Sequence, residues 1–475
     1  MSSLNPNIFR AYDIRGKAGT DITPEGAQLI GQAFGTVLRE KYATDHPRVV
    51  VGWDARTHSP ELAEGTIAGL MAAGCHVLVM GRTPSPLNYF TIVRMGLDGG
   101  VQITASHNPK EDNGLKLQVR DAEAFSGEDL QDLRERIEAK TFAEGAGSRP
   151  STRSGRPELV EGQEQIDAVT PYLDHLTEVF KGGAEGLSVV IDTGNGVAGP
   201  VYAEALKRAG ATVTGLYLEP DGTFPNHAAD PSKRGTLKEL QKIVVERQAA
   251  IGLAFDGDGD RIGIVDEWGE IRSCDETLLL LAQEELKRVP GASIIFTVSM
   301  SSALETEIRK WGGKPVMVAV GHSVVEHAMR EHKAPLGGEQ SGHFFLEELA
   351  HGYDDALVAG LQVLKVLTAS GKPFSQLLAA FPKVYLAPER RPRCPDEAKF
   401  GVVATVVEHF RKDYPIVTLD GARIDFGEGA WANIRASNTS PKLSVCMEAR
   451  TPEKLAEIER IVTGELGQYP EIEWE

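Results

Sequence analysis

The sequence predicts an α/β fold in which three similar mixed α/β domains are followed by a C-terminal α+β domain. Short apolar runs alternate with helix-like stretches along most of the chain, which is the pattern of α/β proteins. From about Pro388 the pattern changes to short strands between two helix-like segments. The length of 475 residues agrees with this count, because a domain usually holds about 100–200 residues.

In the first domain, placed at residues 1–153, the apolar runs predict strands at 48–53, 76–80 and 100–104. A helix is predicted at 60–74, where a glycine ends the pattern. A polar stretch rich in glycine, serine and arginine follows at 144–156 and is a candidate linker.

The strand–helix rhythm then restarts. The second domain, at 154–270, has predicted strands at 187–192, 211–218, 249–255 and 262–266 and a helix at 200–210. The third, at 271–384, has predicted strands at 293–298 and 315–320. The last, at 385–475, has predicted helices at 396–410 and 452–465 and strands at 416–419, 422–426, 430–436 and 443–449.

The composition is typical of an acidic, soluble globular protein. Hydrophobic residues make up 41% and charged residues 25% of the chain, and the formal net charge is −18. This charge gives no general attraction for nucleic acid or an anionic membrane, so neither is expected as a partner. The four cysteines form no CxxC pair, and no apolar run is long enough to cross a membrane. Since the start also lacks a signal-peptide pattern, we expect a cytoplasmic protein with free thiols.

The loop TASHNP at 104–109 directly follows a predicted strand. Ser106 is a candidate nucleophile, which needs exposure and a partner that accepts or neutralises charge. Adjacent residues of a strand point to opposite faces, so His107 is not required as its base. The same residue types also form ordinary turns, and that interpretation stays open.

The loop AFDGDGDR at 254–261 spaces three carboxylates by single glycines, at Asp256, Asp258 and Asp260. Alternate carboxylates on a tight loop can converge on one hard cation. An EF-hand is the competing metal site, and Glu267 falls at its twelfth position, but Arg261 stands where that loop needs glycine. A Mg²⁺-type site is therefore preferred over an EF-hand, and an acidic turn without metal is the remaining alternative.

Two further loops are rich in polar side chains. GGEQSGH at 337–343 places Glu339 and Ser341 two residues apart, on one face of an extended loop, where they suit neighbouring sugar hydroxyls. RASNTSP at 435–441 ends a predicted strand and offers donors suited to a phosphate. Its candidate donors are Arg435, Ser437, Asn438 and Thr439. Either loop, taken alone, also fits an ordinary polar turn.

The segment GNGVAG at 194–199 matches the dinucleotide-binding fingerprint GxGxxG. It follows a predicted strand and opens a helix, and Glu219 ends the next strand. An NAD-dependent oxidoreductase is therefore an alternative function. That alternative leaves the three-carboxylate loop, TASHNP and RASNTSP without a role, and a tight strand-to-helix turn needs glycines without any dinucleotide.

Taken in chain order, these loops resemble the α-D-phosphohexomutase superfamily over nearly the whole chain. The motifs that carry the resemblance are FRAYDIRG (9–16), VGWDAR (51–56), TASHNP, NGLK (113–116), DGDGDR, GHS (321–323), GEQSGH and RASNTSP. FRAYDIRG and RASNTSP are similar to the phosphomannomutase/phosphoglucomutase branch. Gln340 is similar to the phosphoglucosamine mutase branch, which stays as an alternative substrate class. The resemblance implies four domains around a central cleft.

The resemblance also implies roles for individual residues. Ser106 would be the phosphoserine and would bind one Mg²⁺ per chain together with Asp256, Asp258 and Asp260. Arg15, Lys116, Arg261 and His322 would complete the reacting site. Glu339 and Ser341 would contact the sugar, and the four donors of RASNTSP would hold the phosphate that is not transferred. Tyr12, with Arg10, would line or support the entrance.

The implied activity is that of a phosphohexomutase, an isomerase that interconverts hexose 1-phosphate and hexose 6-phosphate of mannose, glucose or both. Glucose 1,6-bisphosphate or mannose 1,6-bisphosphate would be the intermediate and activator, and the protein would be a monomer or weak homodimer. The proton-transfer group stays open among Lys116, His322 and Arg15. One departure is Ser299, where several relatives carry lysine. A non-catalytic sugar-phosphate-binding regulator is the remaining alternative.

Overall fold

In the computed structural model, residues 4–143, 163–438 and 440–474 are described. The chain forms two compact units, of which the first holds residues 1–272 and 341–374 and the second holds residues 273–340 and 375–475. The α/β fold class predicted from the sequence is confirmed. The candidate linker at 144–156 lies outside the described residues.

The first unit contains two sheets, with strands and helices numbered here in chain order. The first sheet has the spatial order β1 (Ile14–Lys17), β5 (Asp112–Val119), β4 (Gly99–Ile103), β2 (Arg48–Trp53), β3 (His76–Arg82) and β6 (Gln163–Gln165). β4, β2, β3 and β6 run parallel, whereas β5 is antiparallel to β4 and to β1. The helices of this part are α1 (Pro24–Tyr42), α2 (Ser59–Ala72), α3 (Ser85–Met95) and α4 (Glu128–Ala139).

Local sequence explains the central elements of this sheet. The run Val49–Val51 in β2 is fully buried, as expected for a β-branched parallel strand covered on both faces. Helix α1 begins at Pro24, and the Thr23 side chain accepts a hydrogen bond from the N–H of Gly26. The carboxyl end of β4 leads directly into TASHNP, so the candidate nucleophile lies at the edge where α/β proteins bind ligands.

The second sheet has the order β11 (Ile271–Arg272), β10 (Ile262–Asp266), β9 (Ile251–Phe255), β7 (Ser188–Asp192) and β8 (Thr212–Leu216). β9, β7 and β8 are parallel, and β10 and β11 are antiparallel neighbours. The other elements of the first unit are α5 (Val169–Val179), α6 (Gly199–Arg208), α7 (Lys238–Glu246), β15 (Phe344–Leu346), α11 (Glu347–Ala350) and α12 (Ala356–Ser370). The sequence places a domain boundary before Ile271, whereas β11 extends the second sheet to Arg272.

The second unit contains a parallel set of strands and an antiparallel sheet. The parallel strands are β13 (Lys314–Val318), β12 (Ser293–Thr297) and β14 (Leu336–Gly338), with helices α8 (Cys274–Arg288), α9 (Ser302–Lys310) and α10 (His322–His332). The antiparallel sheet has the order β16 (Tyr385–Leu386), β20 (Leu443–Ala449), β19 (Trp431–Ala436), β18 (Ala422–Asp425) and β17 (Ile416–Val417). Helices α14 (Asp396–Phe410) and α15 (Pro452–Leu466) contribute to its core, and the short α13 spans Phe374–Leu378.

The predicted strands and helices are all present. β2, β10, α14 and β20 have the predicted bounds, and the others differ at their ends by about one or two residues, which is the usual uncertainty of element ends. Strand β5, which carries Lys116, is not among the predicted strands. Among the described helices, none is both long enough and apolar enough to cross a membrane.

Candidate active site

Ser106 lies in the loop after β4, and its backbone is left-handed, with φ 50°. Its hydroxyl donates to Oδ2 of Asp256 over 2.6 Å and lies 3.0 Å from Nδ1 of His107. The strand pattern did not require His107 as a partner of Ser106, yet the structure brings the two side chains together. The alternation of faces belongs to extended backbone, whereas the left-handed turn at Ser106 lets both side chains meet.

The three carboxylates form the turn between β9 and β10. Asp256 Oδ1 accepts hydrogen bonds from the backbone N–H groups of Gly259, Asp260 and Arg261 over 3.0–3.2 Å. Asp256, Asp258 and Asp260 are fully buried, and one oxygen of each lies within 4.8 Å of the others. The flanking elements are strands, so the EF-hand alternative does not describe this loop.

These carboxylates fit a divalent cation. Within the described part of the chain, Oδ1 of Asp258 and Oδ1 of Asp260 have no hydrogen-bond partner although both are buried. Burial, together with repulsion from its two neighbours, raises the pKa of Asp256 well above its usual range. Buried oxygen atoms of this kind are costly without a partner, and carboxylate oxygens are the ligands that Mg²⁺ prefers.

Lys116, on β5, carries a positive charge into the same cluster. Its Nζ lies 2.8 Å from Oδ2 of Asp258 and also contacts Oδ2 of Asp260. Burial opposes this charge, but the two carboxylates outweigh it and raise the pKa of Lys116 well above its usual value. Ser85, at the start of α3, donates to Asp258 Oδ2 over 2.6 Å and was not predicted as a site residue.

His343 is a second residue that the sequence analysis did not assign. Its Nε2 lies 3.4 Å from Asp260 Oδ1 and 3.6 Å from Asp354 Oδ2, and it accepts a hydrogen bond from Arg261 Nε over 3.2 Å. Its Nδ1 lies 3.0 Å from Ser341 Oγ. His343 ends the GEQSGH motif and could have been found there, whereas no sequence pattern marks Asp354.

Two arginines approach the nucleophile loop. Arg261 places Nη1 3.4 Å from His107 Nε2. Arg15, on β1, donates from Nη1 to the carbonyl of Ala105 over 3.3 Å and forms an ion pair with Asp13. Four residues were predicted to complete the reacting site. Three of them lie near Ser106 in the first unit, namely Arg15, Lys116 and Arg261. Tyr12 lies half-buried just before β1.

Ser341, predicted to contact the sugar, lies in the first unit beside His343, and the other predicted residues belong to the second unit. Glu339 is buried, and its Oε1 accepts the N–H of Gly321 over 2.9 Å. His322 follows as the first residue of α10. Arg435, on β19, places Nη1 3.4 Å from Asp420 Oδ2, and its buried Nε has no hydrogen-bond partner among the described residues. A buried, unpaired guanidinium N–H is suited to an incoming anion.

Lys399, a buried residue that was not predicted, binds the backbone of the loop after β19. Its Nζ donates to the carbonyl oxygens of Ser437 over 2.6 Å and Ser440 over 3.2 Å. The hydroxyls of the two serines lie 3.0 Å apart. Asn438, which follows Ser437 in the chain, is half-buried. Thr439 lies outside the described residues.

Ser299, noted in the sequence as a departure from the family pattern, is buried next to an arginine. Arg423 Nη1 donates to the carbonyl oxygens of Val298 and, over 2.9 Å, Met300. The guanidinium also stacks over the Trp431 ring, with 3.7 Å to the centroid. A cation therefore does lie beside this segment, with donors already used on the backbone.

The GNGVAG turn packs against the carboxylate loop. The N–H of Val197 donates to the carbonyl of Gly257 over 3.0 Å, and a Cβ at Gly196 would lie 2.9 Å from the same oxygen. A Cβ at Gly199 would lie 1.9 Å from the carbonyl oxygen of Leu218. Close backbone packing accounts for these glycines, so the match to the dinucleotide fingerprint needs no dinucleotide.

Comparison with known proteins places family models along the chain. Those described as phosphoglucomutase/phosphomannomutase alpha/beta/alpha domains I, II and III match residues 6–144, 170–269 and 273–385, and the C-terminal domain matches 389–464. A phosphomannomutase/phosphoglucomutase of Pseudomonas aeruginosa is 38% identical over 465 residues, which are 98% of this chain and 96% of the relative. A phosphoglucomutase of Neisseria gonorrhoeae is 35% identical over the whole of both chains. A solved phosphoglucomutase/phosphomannomutase family protein from Burkholderia thailandensis has 34% identity and a TM-score of 0.86, covering 98% of this chain and 97% of that one.

Proposed function

The chain belongs to the phosphoglucomutase/phosphomannomutase family of hexose phosphate mutases, and we propose that it transfers the phosphoryl group through Ser106. Such an enzyme is an intramolecular phosphotransferase of the isomerase class. The observation that carries the proposal is the contact between the Ser106 hydroxyl and Asp256 at 2.6 Å, inside a buried group of carboxylates and cations. A serine without such partners would be a weak nucleophile.

Phosphoryl transfer depends on positioning and on neutralising the charge of the phosphoryl oxygens. Asp256, Asp258 and Asp260, with Ser106, would hold one Mg²⁺ per chain, which supplies Lewis-acid neutralisation of that charge. Arg261 and Lys116 add fixed positive charge beside the same atoms. Arg15, which donates to the Ala105 carbonyl, adds a third cation at the loop.

The cycle proceeds by two transfers. Phospho-Ser106 gives its phosphoryl group to the free 6-hydroxyl of a hexose 1-phosphate, and the hydroxyl proton passes to a neighbouring base. The resulting 1,6-bisphosphate turns end for end, and its 1-phosphoryl group returns to Ser106, which leaves hexose 6-phosphate. Glucose 1,6-bisphosphate or mannose 1,6-bisphosphate would therefore serve as the intermediate. The same compound would activate dephosphorylated enzyme by phosphorylating Ser106.

The proton-accepting group is best sought among the imidazoles. Lys116 is held protonated by Asp258 and Asp260, which makes it a poor base. His343 lies next to Arg261 and Asp260 and joins His322 as a candidate, whereas the Arg15 guanidinium stays protonated and cannot accept the proton.

The substrate must be gripped in two opposed poses. Glu339 and Ser341 would contact the O3 and O4 hydroxyls, which exchange places when the sugar turns. A site that does not contact O2 accepts both mannose and glucose, since these sugars differ only there. Arg435, whose Nε lacks a partner among the described residues, would hold the untransferred phosphate together with Ser437, Asn438 and Thr439. Tyr12 would line the entrance.

The setting of the reaction is also part of the proposal. The acidic charge and scattered thiols favour a cytoplasmic enzyme that acts on small hexose phosphates, as a monomer or weak homodimer. Neither nucleic acid nor a membrane is needed for the activity. Sedimentation at several protein concentrations would determine the oligomeric state.

A coupled assay tests the substrate class. The enzyme receives Mg²⁺, a trace of glucose 1,6-bisphosphate and, separately, mannose 1-phosphate, glucose 1-phosphate or glucosamine 1-phosphate, with Ser106→Ala as control. We expect comparable 6-phosphate formation from mannose and glucose substrates and none in the variant. Preferred turnover of glucosamine 1-phosphate would instead assign the chain to the substrate class that Gln340 suggests. Turnover by Ser106→Ala at the wild-type rate would overturn the role of Ser106.

A further inference from the structure

The motif VGWDAR ends at Arg56, a fully buried arginine for which the proposed cycle has no role. Its guanidinium has five N–H donors, and the structure gives five hydrogen bonds from it. Nε donates to Asp54 Oδ2 over 3.0 Å, and the two terminal nitrogens donate to the carbonyl oxygens of Pro109 (2.6 Å), Asp112 (3.0 Å), Ser106 (2.8 Å) and Asn108 (2.7 Å). One side chain thus binds three carbonyl groups of the nucleophile loop and the carbonyl of Asp112 at the start of β5.

Asp54 completes the arrangement and neutralises the buried charge. Its carboxylate accepts the Arg56 N–H over 2.9 Å, the Ser59 hydroxyl over 2.6 Å and the Thr104 hydroxyl over 2.8 Å. The Thr104 hydroxyl oxygen in turn accepts the N–H of Ser106 over 2.8 Å. Both backbone polar groups of Ser106 are therefore tied to the Asp54–Arg56 pair, the N–H through Thr104 and the carbonyl directly.

The backbone of Ser106 needs such support. A non-glycine residue at φ 50° is strained and persists only where its surroundings fix it. This conformation also brings the Ser106 hydroxyl to 2.6 Å from Asp256. Loss of the support would let the loop relax toward an extended backbone and turn the hydroxyl away from the carboxylates.

The rear of the guanidinium is closed off from solvent. The Phe224 ring lies over it, with 5.3 Å from the guanidinium carbon to the ring centroid. Gly222 approaches so closely that a Cβ there would lie 2.3 Å from the Ala55 carbonyl oxygen. Water therefore has little access to replace the hydrogen bonds of Arg56, and their loss would not be compensated.

We propose that Arg56 and Asp54 are positioning residues that hold Ser106 in the left-handed conformation from which it gives and accepts the phosphoryl group. The inference rests on the proposed role of Ser106 as phosphoryl carrier. Because both side chains are fully buried beneath the nucleophile loop, their loss should slow the transfer steps and leave substrate binding nearly unchanged. The signature is a fall in kcat at constant KM.

The experiment compares Arg56→Lys, Arg56→Ala and Asp54→Asn with wild type. Arg39→Lys is the matched control, since Arg39 also donates to a backbone carbonyl, that of Ala73, and to the carboxylate of Asp45 in the same unit. Two quantities are measured: kcat and KM for glucose 1-phosphate, and the rate at which Ser106 takes up a phosphoryl group from glucose 1,6-bisphosphate, by intact-protein mass. Folding is checked by circular dichroism and melting temperature.

For Arg56→Lys we expect kcat and the uptake rate each to fall by about 100-fold, as for a misplaced reacting group, with KM nearly unchanged. Lysine keeps the charge but cannot reach four carbonyl groups at once. For Arg56→Ala, millimolar guanidinium chloride should restore part of the uptake rate, while the same concentration of sodium chloride should not. Arg39→Lys should behave as wild type.

The outcomes separate the two claims. If wild-type Ser106 takes up no phosphoryl group, the proposed function fails. If wild type is phosphorylated and a folded Arg56→Lys matches it, or loses KM rather than kcat, the positioning role of Arg56 is wrong while the function stands. If Arg56→Ala does not fold, Arg56→Lys and Asp54→Asn still decide the question.

Discussion

The hydroxyl of Ser106 donates a hydrogen bond to Oδ2 of Asp256 over 2.6 Å, although the two residues are 150 positions apart in the chain. One follows β4 of the first sheet and the other follows β9 of the second. The contact therefore joins a candidate nucleophile to a candidate metal-binding turn. Substitution of Ser106 or Asp256 should therefore impair both phosphoryl transfer and metal binding.

Asp256→Asn should lower turnover by about 100-fold or more and weaken Mg²⁺ binding. The amide keeps the size of the side chain but removes an anionic ligand and the acceptor of the Ser106 hydrogen bond. Turnover over a Mg²⁺ titration and calorimetric Mg²⁺ affinity measure the two effects. Asp192→Asn, at the end of β7 in the same sheet, is the control, and an unchanged Mg²⁺ dependence in Asp256→Asn would argue against the metal site.

Lys116→Met should tighten Mg²⁺ binding while lowering turnover. The ammonium competes with a cation for Asp258 and Asp260, and removing it relieves a like-charge repulsion worth on the order of 1–4 kcal/mol at such separations. A gain of about tenfold in affinity is therefore expected. Lys181→Met, an exposed lysine of the same unit, is the control. Weaker Mg²⁺ binding in Lys116→Met would mean that Lys116 supports the metal site.

His343→Gln should lower kcat by about 100-fold or more, the usual contribution of a general acid or base. His343 is buried and lies between Arg261 and the carboxylates of Asp260 and Asp354. The exposed His351 of the same unit provides a control as His351→Gln. Steady-state kinetics with glucose 1-phosphate would detect the effect. A kcat near that of wild type would show that His343 is not the general acid or base.

Arg435→Ala should raise KM strongly while Ser106 is still phosphorylated by the bisphosphate. Arg435 is proposed to bind the phosphate that is not transferred, a contact made in ground state and transition state alike. Arg435→Lys should be intermediate, because lysine keeps the charge without the fork of donors. Arg411→Ala, exposed in the same unit, is the control. An unchanged KM in Arg435→Ala would count against a phosphate-binding role.

Asp275→Asn should stabilise the protein above neutral pH. Burial and the nearby Glu448 raise the pKa of Asp275 to about 7 in the folded chain, from an ordinary 3.8. The folded state therefore keeps a proton that the unfolded state loses, and stability falls as pH rises from about 4 to about 7. A tenfold difference in proton affinity between the folded and unfolded states corresponds to about 1.4 kcal/mol of unfolding free energy.

Melting temperatures of wild type and Asp275→Asn between pH 4 and 8 check this, with the exposed Asp413→Asn as control. The amide can still accept the Ser301 N–H that Asp275 accepts over 2.7 Å. The advantage of the variant should grow with pH and then level off. A difference that stays constant over the whole range would show that Asp275 titrates normally.

Much of the fold and part of the site could be predicted because the signals are contiguous in sequence. The apolar run of β2 and the carboxylate turn between β9 and β10 are each encoded by a few neighbouring residues. Strand β5 was not predicted because Asn113 and Gly114 near its start are typical turn residues. Pairing with β1 and β4, which are distant in the sequence, stabilises this segment as a strand.

The residues that sequence reasoning missed act through contacts between distant segments. Ser85 reaches Asp258, and Lys399 reaches the carbonyl oxygens of Ser437 and Ser440, across separations for which no local pattern exists. The contact between the Ser106 and His107 side chains depends on the left-handed backbone of Ser106. The TASHNP motif does not predict this conformation, since serine seldom adopts it.

Whether Ser106 carries the phosphoryl group can be followed with a radioactive label. Enzyme is incubated with Mg²⁺ and ³²P-labelled glucose 1,6-bisphosphate, quenched with acid, digested and mapped by peptide, and a parallel sample is chased with unlabelled glucose 1-phosphate before quenching. We expect label on Ser106 that passes into sugar phosphate during the chase at least as fast as turnover. Label on another residue, or label on Ser106 that does not leave during turnover, would contradict it.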